Sequence, residues 1–214
     1  MVFSSSCSSC RQPGPEWCHA CRFSLASAPV VHLPHGVKAA LPYDGAARSA
    51  VLALKYRNRR RVARYLGALM VQRLGLREAR RFDLVTWAPT SGRRAGQRGF
   101  DQAELLARHI ARELGVPCRR LLYRTHGTAQ TGLTRSERLD GPDFRARRQR
   151  RSLRVLVVDD VVTTGATLLA SAEALAAAGV TEVVLIAAAA TPEHGRPGRR
   201  ALPPSDATGR LAHA

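Results

Sequence analysis

Apolar residues follow two regimes along the chain. From about Ala28 to Gly195 short apolar runs alternate with amphipathic stretches, whereas the flanking segments show no such order. Arg48 to about Leu74 has helical spacing, with Val51, Leu54, Val62, Leu66 and Leu69 near one face and a break expected around Asn58. Phe82 to Ala88 reads as a strand that stops at Pro89. Asp101 to Leu114 predicts a helix: Ala103, Leu106, Ile110 and Leu114 form one stripe, Glu104 and Arg108 can pair at i,i+4, and Gly115 supplies the stop. Val155 to Val158 is a short, wholly apolar strand of the kind buried on both faces. A helix from about Ala166 to Ala178, closed by Gly179, and a buried strand from Glu182 to Ala190 complete a βαβ unit. The expected fold class is α/β, a parallel sheet flanked by helices. There is no internal repeat.

The flanks need a different account. Residues 1 to about 27 are polar, rich in Ser and Cys, and lack both helical and alternating apolar period, so they cannot bury a core. Four of the five cysteines lie there, as Cys7-Ser-Ser-Cys10 and Cys18-His-Ala-Cys21. Two such pairs can set four thiolates around one Zn²⁺ as a structural site. Disulfides and a redox dithiol are the competing uses, the first disfavoured in a reducing compartment, the second seldom needing two motifs. His19 is left out because four cysteines fill the shell, and Cys118 stands alone as a buried or idle thiol. The reading divides the chain into a four-cysteine zinc-binding module (1–27), an α/β domain (28–195) and a Pro-, Gly- and Arg-containing disordered tail (196–214).

Composition adds two constraints. The longest apolar run, Val183 to Ala190, is far shorter than the roughly 20 residues a membrane-spanning helix requires. No basic-then-apolar leader opens the chain, so a cytoplasmic protein without membrane insertion is expected. The net charge of +18 invites an anionic partner such as nucleic acid. However, 32 of the 34 basic residues are Arg, beside Lys38 and Lys55, a skew that a GC-rich genome produces equally well. Two clusters, Lys55 to Arg64 and Arg145 to Arg154, each hold six basic residues in ten and can serve single-stranded DNA or be solvated helix faces.

The most informative stretch is Val155-Leu-Val-Val-Asp-Asp-Val-Val-Thr-Thr-Gly-Ala-Thr167. A buried strand delivers Asp159 and Asp160 to its carboxyl end, where open α/β sheets bind ligands. A turn through Thr163, Thr164 and Gly165 then enters a helix through Ala166 and Thr167, and its amides and hydroxyls make an anion cradle. Carboxylates beside a phosphate cradle suit a sugar phosphate. An arbitrary Asp-Asp pair would be an ordinary strand end; here the acids and the Thr-Thr-Gly-x-Thr turn occur in order.

This stretch resembles the phosphoribosyl pyrophosphate (PRPP) motif of type I phosphoribosyltransferases. The resemblance implies that Asp159 and Asp160 contact the ribose hydroxyls, that Thr163 to Thr167 wrap the 5′-phosphate, and that Mg²⁺ bridges the diphosphate and the sugar. The order of the cysteine quartet, Leu41-Pro-Tyr-Asp-Gly45, Leu54-Lys-Tyr56, Gln97-Arg-Gly-Phe-Asp-Gln102, Gln130-Thr-Gly-Leu133, Arg138 and the PRPP motif is similar to that of the ComF family, phosphoribosyltransferase-like proteins associated with competence for DNA uptake. Asp101 and Gly141 stand where that family commonly has Asn, and the linker between the cysteine pairs is short for it.

The segment leaving the strand at Ala88 suits a pyrophosphate loop, with Pro89, Thr90, Arg93, Arg94 and Arg98 as candidates. Tyr123 to Phe144 shows no secondary-structure pattern and fits a closing flexible loop with Gln130 and Arg138. Lys55 is either a phosphate-directed charge or a solvated helix residue. Two functions follow: transfer of a phosphoribosyl group from PRPP to an acceptor the sequence does not name, or a non-catalytic competence protein binding single-stranded DNA. No catalytic nucleophile or base, no hood segment that selects a nucleobase and no oligomeric state can be read from the residues.

Overall fold

The computed structural model describes residues 6–56, 61–75, 81–91, 96, 99–125 and 142–192. In chain order the helices are α1 (His19–Ser27), α2 (Gly45–Tyr56), α3 (Arg61–Leu74), α4 (Gln102–Leu114) and α5 (Ala166–Ala177). The strands are β1 (Val31–His32), β2 (Lys38–Pro42), β3 (Leu84–Trp87), β4 (Leu122–Arg124), β5 (Phe144–Ala146), β6 (Arg154–Val162) and β7 (Glu182–Ala190). One sheet runs in the order β1-β2-β7-β6-β3, parallel throughout except for the β1 edge; β4 and β5 form a separate antiparallel ribbon.

Strand β6 is the centre of this arrangement, paired to β3 through Trp87↔Val158 and to β7 through Val155↔Val183 and Val158↔Ile186. Its side chains alternate between two cores, as a central parallel strand requires. Leu156 and Val158 join Leu54 of α2, Leu66 and Met70 of α3 and Leu106 and Ile110 of α4; Val155 and Val157 join Leu168 and Leu175 of α5 and Leu122 of the ribbon.

Helix α4 forms as its sequence predicts. The Asp101 carboxylate accepts the Ala103 N–H at 3.0 Å as the N-cap, Glu104 and Arg108 pair at 2.7 Å, and Gly115, at φ 70°, closes the last turn by donating to the carbonyls of Ala111 and Arg112. Helix α3 crosses α4 at Gly67, where an added Cβ would stand 3.0 Å from the His109 Cβ.

Three expectations are corrected. Residues 1–27 are not without helical order: α1 occupies His19–Ser27, with Leu25 buried in the first core. A single apolar anchor gives no period to read, and the contacts that fix α1 come from elsewhere in the chain. Tyr65 Oη donates to the Arg22 carbonyl at 2.8 Å, Arg73 donates to the carbonyls of Ala26 and Ala28 at 2.6 and 2.7 Å, and Trp17 stacks on Tyr65. Second, the stretch from Tyr123 to Phe144 begins and ends in strand, with Tyr123 opposite Arg145; three-residue strands are too short for alternation to show. Third, β6 extends four residues past Val158, because Asp159, Val161 and Val162 continue the ladder against Ala187, Ala189 and Ala190 of β7. Strand β2 has no counterpart in the sequence reading; its Ala-rich core carries little apolar signal.

Residues 57–60, around the expected break at Asn58, and the tail 196–214 lie outside the described residues. Among the described residues no helix is long and apolar enough to cross a membrane.

The α3–α4 crossing yields a test. Gly67→Val forces a branched side chain into a contact already at its limit and is expected to lower stability by about 1–3 kcal/mol, read from urea unfolding, with little change in far-UV circular dichroism.

Candidate functional site

The carboxyl ends of β3 and β6 open into a cleft of about 280 Å³. Four elements build it. Strand β6 presents Asp159 and Asp160, the last turn of α2 supplies Lys55, the exit from β3 contributes Ala88, Pro89 and Thr90, and the start of α4 brings Asp101 and Gln102. Arg124 at the end of β4, and Thr163 and Thr167 around the turn into α5, complete the lining.

The polar geometry is specific. Asp159 Oδ1 accepts the N–H of Asp160 at 2.7 Å, and Asp160 Oδ2 lies 2.9 Å from Lys55 Nζ. Asp101 uses both oxygens: Oδ2 accepts the Thr90 N–H at 2.9 Å while Oδ1 caps α4. This carboxylate therefore ties the loop leaving β3 to the helix that follows it. Gly165 sits at φ 89°, a left-handed conformation that other residues adopt only with strain, and passes the chain into α5; Thr164 Oγ1 accepts the Ala166 N–H at 3.3 Å. Thr163 and Thr164 stay exposed, Thr163 on the cleft itself, whereas Gly165 is buried.

Three carboxylates thus share one cleft with the cations Lys55 and Arg124. Burial pushes Asp159 well above the usual carboxylate range, and the neighbouring Asp160 charge adds to this against the Asp160 N–H and Lys55. Burial also raises Asp101, against the donors Thr90, Ala103 and Glu104. Asp159 and Asp101 are thus more readily protonated than exposed carboxyls.

Of the candidates from the sequence, the cleft brings together Pro89, Thr90, Asp159, Asp160, Thr163 and Thr167, with Thr164, Gly165 and Ala166 forming its adjoining turn. Arg93, Arg94, Arg98, Gln130 and Arg138 lie outside the described residues. Lys55, left open between two readings, is turned inward. Asp101, Gln102 and Arg124 line the cleft without having been marked for it by the sequence. Asp101 was legible as a helix start and as part of the Gln97–Gln102 motif, but not as a cleft residue, and nothing local marks Arg124, whose place depends on the β4–β5 ribbon.

The cysteines form a second constellation. The ligand atoms of Cys7, Cys10, Cys18 and Cys21 all lie within 4.8 Å of one another, with Cys10 and Cys18 sulfurs 3.6 Å apart. A tetrahedron of Zn–S bonds of about 2.3 Å has edges of about 3.8 Å, so the spacing fits such an ion. The two pairs share one backbone turn: Arg11 N–H donates to the Cys7 carbonyl and Arg22 N–H to the Cys18 carbonyl, each at 3.0 Å. Burial raises Cys7 but is outweighed by N–H donors of Cys18, Ser9 and Cys10, leaving it at about 6; burial and the neighbouring thiols push Cys21 up to about 12. Cys7 and Cys21 are thus pushed in opposite directions within one cluster. Cys118 is apart from the cluster and half-buried, its thiol pushed up by burial to about 11.

The strain at Asp159 has a measurable sign. A carboxyl raised on folding makes the folded chain bind more protons than the unfolded one, so its contribution is lost as pH rises from about 4 through the folded value. Without ligand, Asp159→Asn is expected to remove that part of the pH profile and raise Tm at neutral pH by several degrees. An unchanged Tm–pH curve would mean the carboxyl is not strained.

Residues 101–202 match the family described as the phosphoribosyl transferase domain. No curated protein matches the chain. Similar solved structures include glutamine PRPP amidotransferase from B. subtilis complexed with ADP and GMP (23% identity, 64% of this chain and 30% of that one, TM-score 0.44). Others are adenine phosphoribosyl transferase from Trypanosoma brucei (16% identity, 77% and 86%, TM-score 0.45) and orotate phosphoribosyltransferase from Aeropyrum pernix (21% identity, 77% and 86%, TM-score 0.38). The chain spans about 30% of the length of the amidotransferase. With β6, its acidic end and α5 all inside the matched segment, the fold is α/β, a mostly parallel sheet flanked by helices that is phosphoribosyl-transferase-like over residues 101–202, preceded by a four-cysteine cluster fit for a metal.

Proposed function

We propose that the cleft at the carboxyl end of β6 binds PRPP or a related phosphorylated sugar together with Mg²⁺, and that the chain is a phosphoribosyltransferase-like protein of the ComF type. The observation that carries the reading is the placement of Asp159 and Asp160 and of the Thr163–Thr167 turn on one cleft. The carboxylates accept from vicinal sugar hydroxyls. The turn and the first amides of α5 donate to the phosphate. Lys55 holds Asp160 in place and lies near enough to meet a diphosphate, and the Thr90 N–H, fixed through Asp101, orients the loop beside it.

The site's carboxylates fit a divalent cation, and Mg²⁺ bound with PRPP would neutralise the diphosphate leaving group. Transfer then requires an acceptor that displaces diphosphate at the anomeric carbon. The alternative, single-strand binding through two basic clusters, is less favoured by the geometry: Lys55, which opens the first cluster, is paired with Asp160 inside the cleft. We further propose that Cys7, Cys10, Cys18 and Cys21 hold one structural Zn²⁺, that the module spans 1–27 and that the chain acts in the cytoplasm.

PRPP with Mg²⁺ is expected to raise Tm by several degrees, and Asp159→Asn/Asp160→Asn to abolish the shift. Lys55→Met should weaken PRPP binding about tenfold, the worth of one charge-assisted contact. Absence of any PRPP shift in the wild-type protein would overturn the sugar-phosphate reading, and base-dependent diphosphate release would separate transfer from binding alone.

Metal analysis should find one zinc per chain. Its removal by a strong chelator should expose the amides of α1 to hydrogen exchange while β6 and β7 stay protected, since such sites contribute on the order of 10–16 kcal/mol in small zinc peptides. A metal-free protein with α1 still protected would refute the zinc site.

A further inference from the structure

The opposite end of strand β6 also opens on a cleft. At its amino terminus a cleft of about 460 Å³ lies between residues 117–121 and 147–153. Six arginines line it: Arg119, Arg120, Arg147, Arg148, Arg150 and Arg151, against the one carboxylate of Asp83. That carboxylate is engaged, accepting the Arg154 N–H at 2.7 Å. None of the six arginines forms an ion pair with a carboxylate of the described residues.

Both rims are anchored by backbone hydrogen bonds. Arg119 N–H donates to the Val85 carbonyl at 3.0 Å and Leu121 N–H to Thr86 Oγ1 at 3.2 Å. On the other side Arg147 N–H donates to Leu121 O at 2.8 Å and Gln149 N–H to Ala178 O at 2.7 Å. Gly179 passes so close to this rim that a Cβ there would meet Gln149 O at 2.9 Å. The guanidinium groups therefore extend from a backbone held in place. Six arginines on one cleft give it a positive field that attracts a polyanion.

We infer that this cleft is a binding site for a compact, phosphate-dense anion, a di- or triphosphate chain, separate from the cleft at the carboxyl end of β6. Nine strand residues, at about 3.3 Å each, put the two clefts some 25 Å apart. The volume lies in the range of small-molecule sites. Guanidinium forks match phosphate oxygens in pairs. A single nucleic-acid strand would want aromatic platforms for its bases. No aromatic residue lines the cleft, and the nearby Tyr123 is already covered by the Arg120 guanidinium at 4.8 Å.

The test is calorimetric titration of the full, metal-loaded chain with inorganic tripolyphosphate in buffer without added Mg²⁺ or chelator. One equivalent should bind, and Arg148→Ser/Arg151→Ser should weaken it at least tenfold, about 1.4 kcal/mol. A charge-matched control, Arg64→Ser/Arg112→Ser, removes two exposed arginines outside the cleft and should change affinity less than twofold. No binding, several equivalents per chain, or equal loss in both variants would overturn the site by showing only diffuse attraction to a basic surface. A thymidine 20-mer that displaces tripolyphosphate at lower concentration, with the same dependence on Arg148 and Arg151, would overturn it in favour of nucleic acid.

Discussion

The pairing of β6 with the alanine-rich end of β7 is the constraint on which the candidate site depends. Asp159, Val161 and Val162 stay in register with Ala187, Ala189 and Ala190, so the acidic pair is held by a ladder that continues beyond it. Carboxylates at a fraying strand end would relax into water. Held here, they keep their position and accept the electrostatic cost, which burial and the adjacent charge impose on Asp159. The cost is retained because the surrounding hydrogen bonds and two packed cores over-determine the strand.

The neighbouring groups manage that charge. Lys55 pairs with Asp160, and Asp101 spends its oxygens on the N–H groups of Thr90 and Ala103. Asp101 thus acts as a structural clamp whose charge is also felt by Asp159. A ligand that carried its own cation and its own phosphate would meet both halves of this arrangement: the carboxylates on β6 and the exposed threonines of the turn into α5. The same strand has the opposite chemistry at its other end, where arginines gather without carboxylate partners among the described residues. A parallel sheet gathers like strand ends on the same edge, so one strand can separate an acid-lined cleft from a basic one by its own length.

Much of this was legible in the sequence, for identifiable reasons. Strand β7 and helices α4 and α5 announced themselves because their apolar spacing and glycine stops agree with the tertiary packing they meet. The Asp159–Thr167 turn was readable because its order of residue types is unusual. Lys55 was not decided, since an ammonium in the last turn of a helix looks the same whether it faces water or a carboxylate. Arg124 and strand β2 were invisible locally: one depends on a ribbon whose two strands are distant in sequence, the other is mostly alanine and proline flanking a single leucine. The extension of β6 was missed because aspartate has low strand propensity, which the β7 ladder overrides.

The cysteine module bears on the site through packing, although it contributes no lining residue to the cleft. Arg73, in the last turn of α3, binds the carbonyls at the end of α1, and Tyr65, nearer the start of the same helix, stacks on Trp17 and holds Arg22. Helix α3 in turn crosses α4 at Gly67, with no room to spare, and α4 begins at Asp101. A chain of rigid contacts therefore runs from the four thiols to the carboxylate that fixes Thr90. Ordering of the module by a metal would restrain α3 from its outer side and so limit how far α4 and its cap can shift. In this arrangement a metal held by the four thiols would stiffen a wall of the cleft while remaining outside its chemistry.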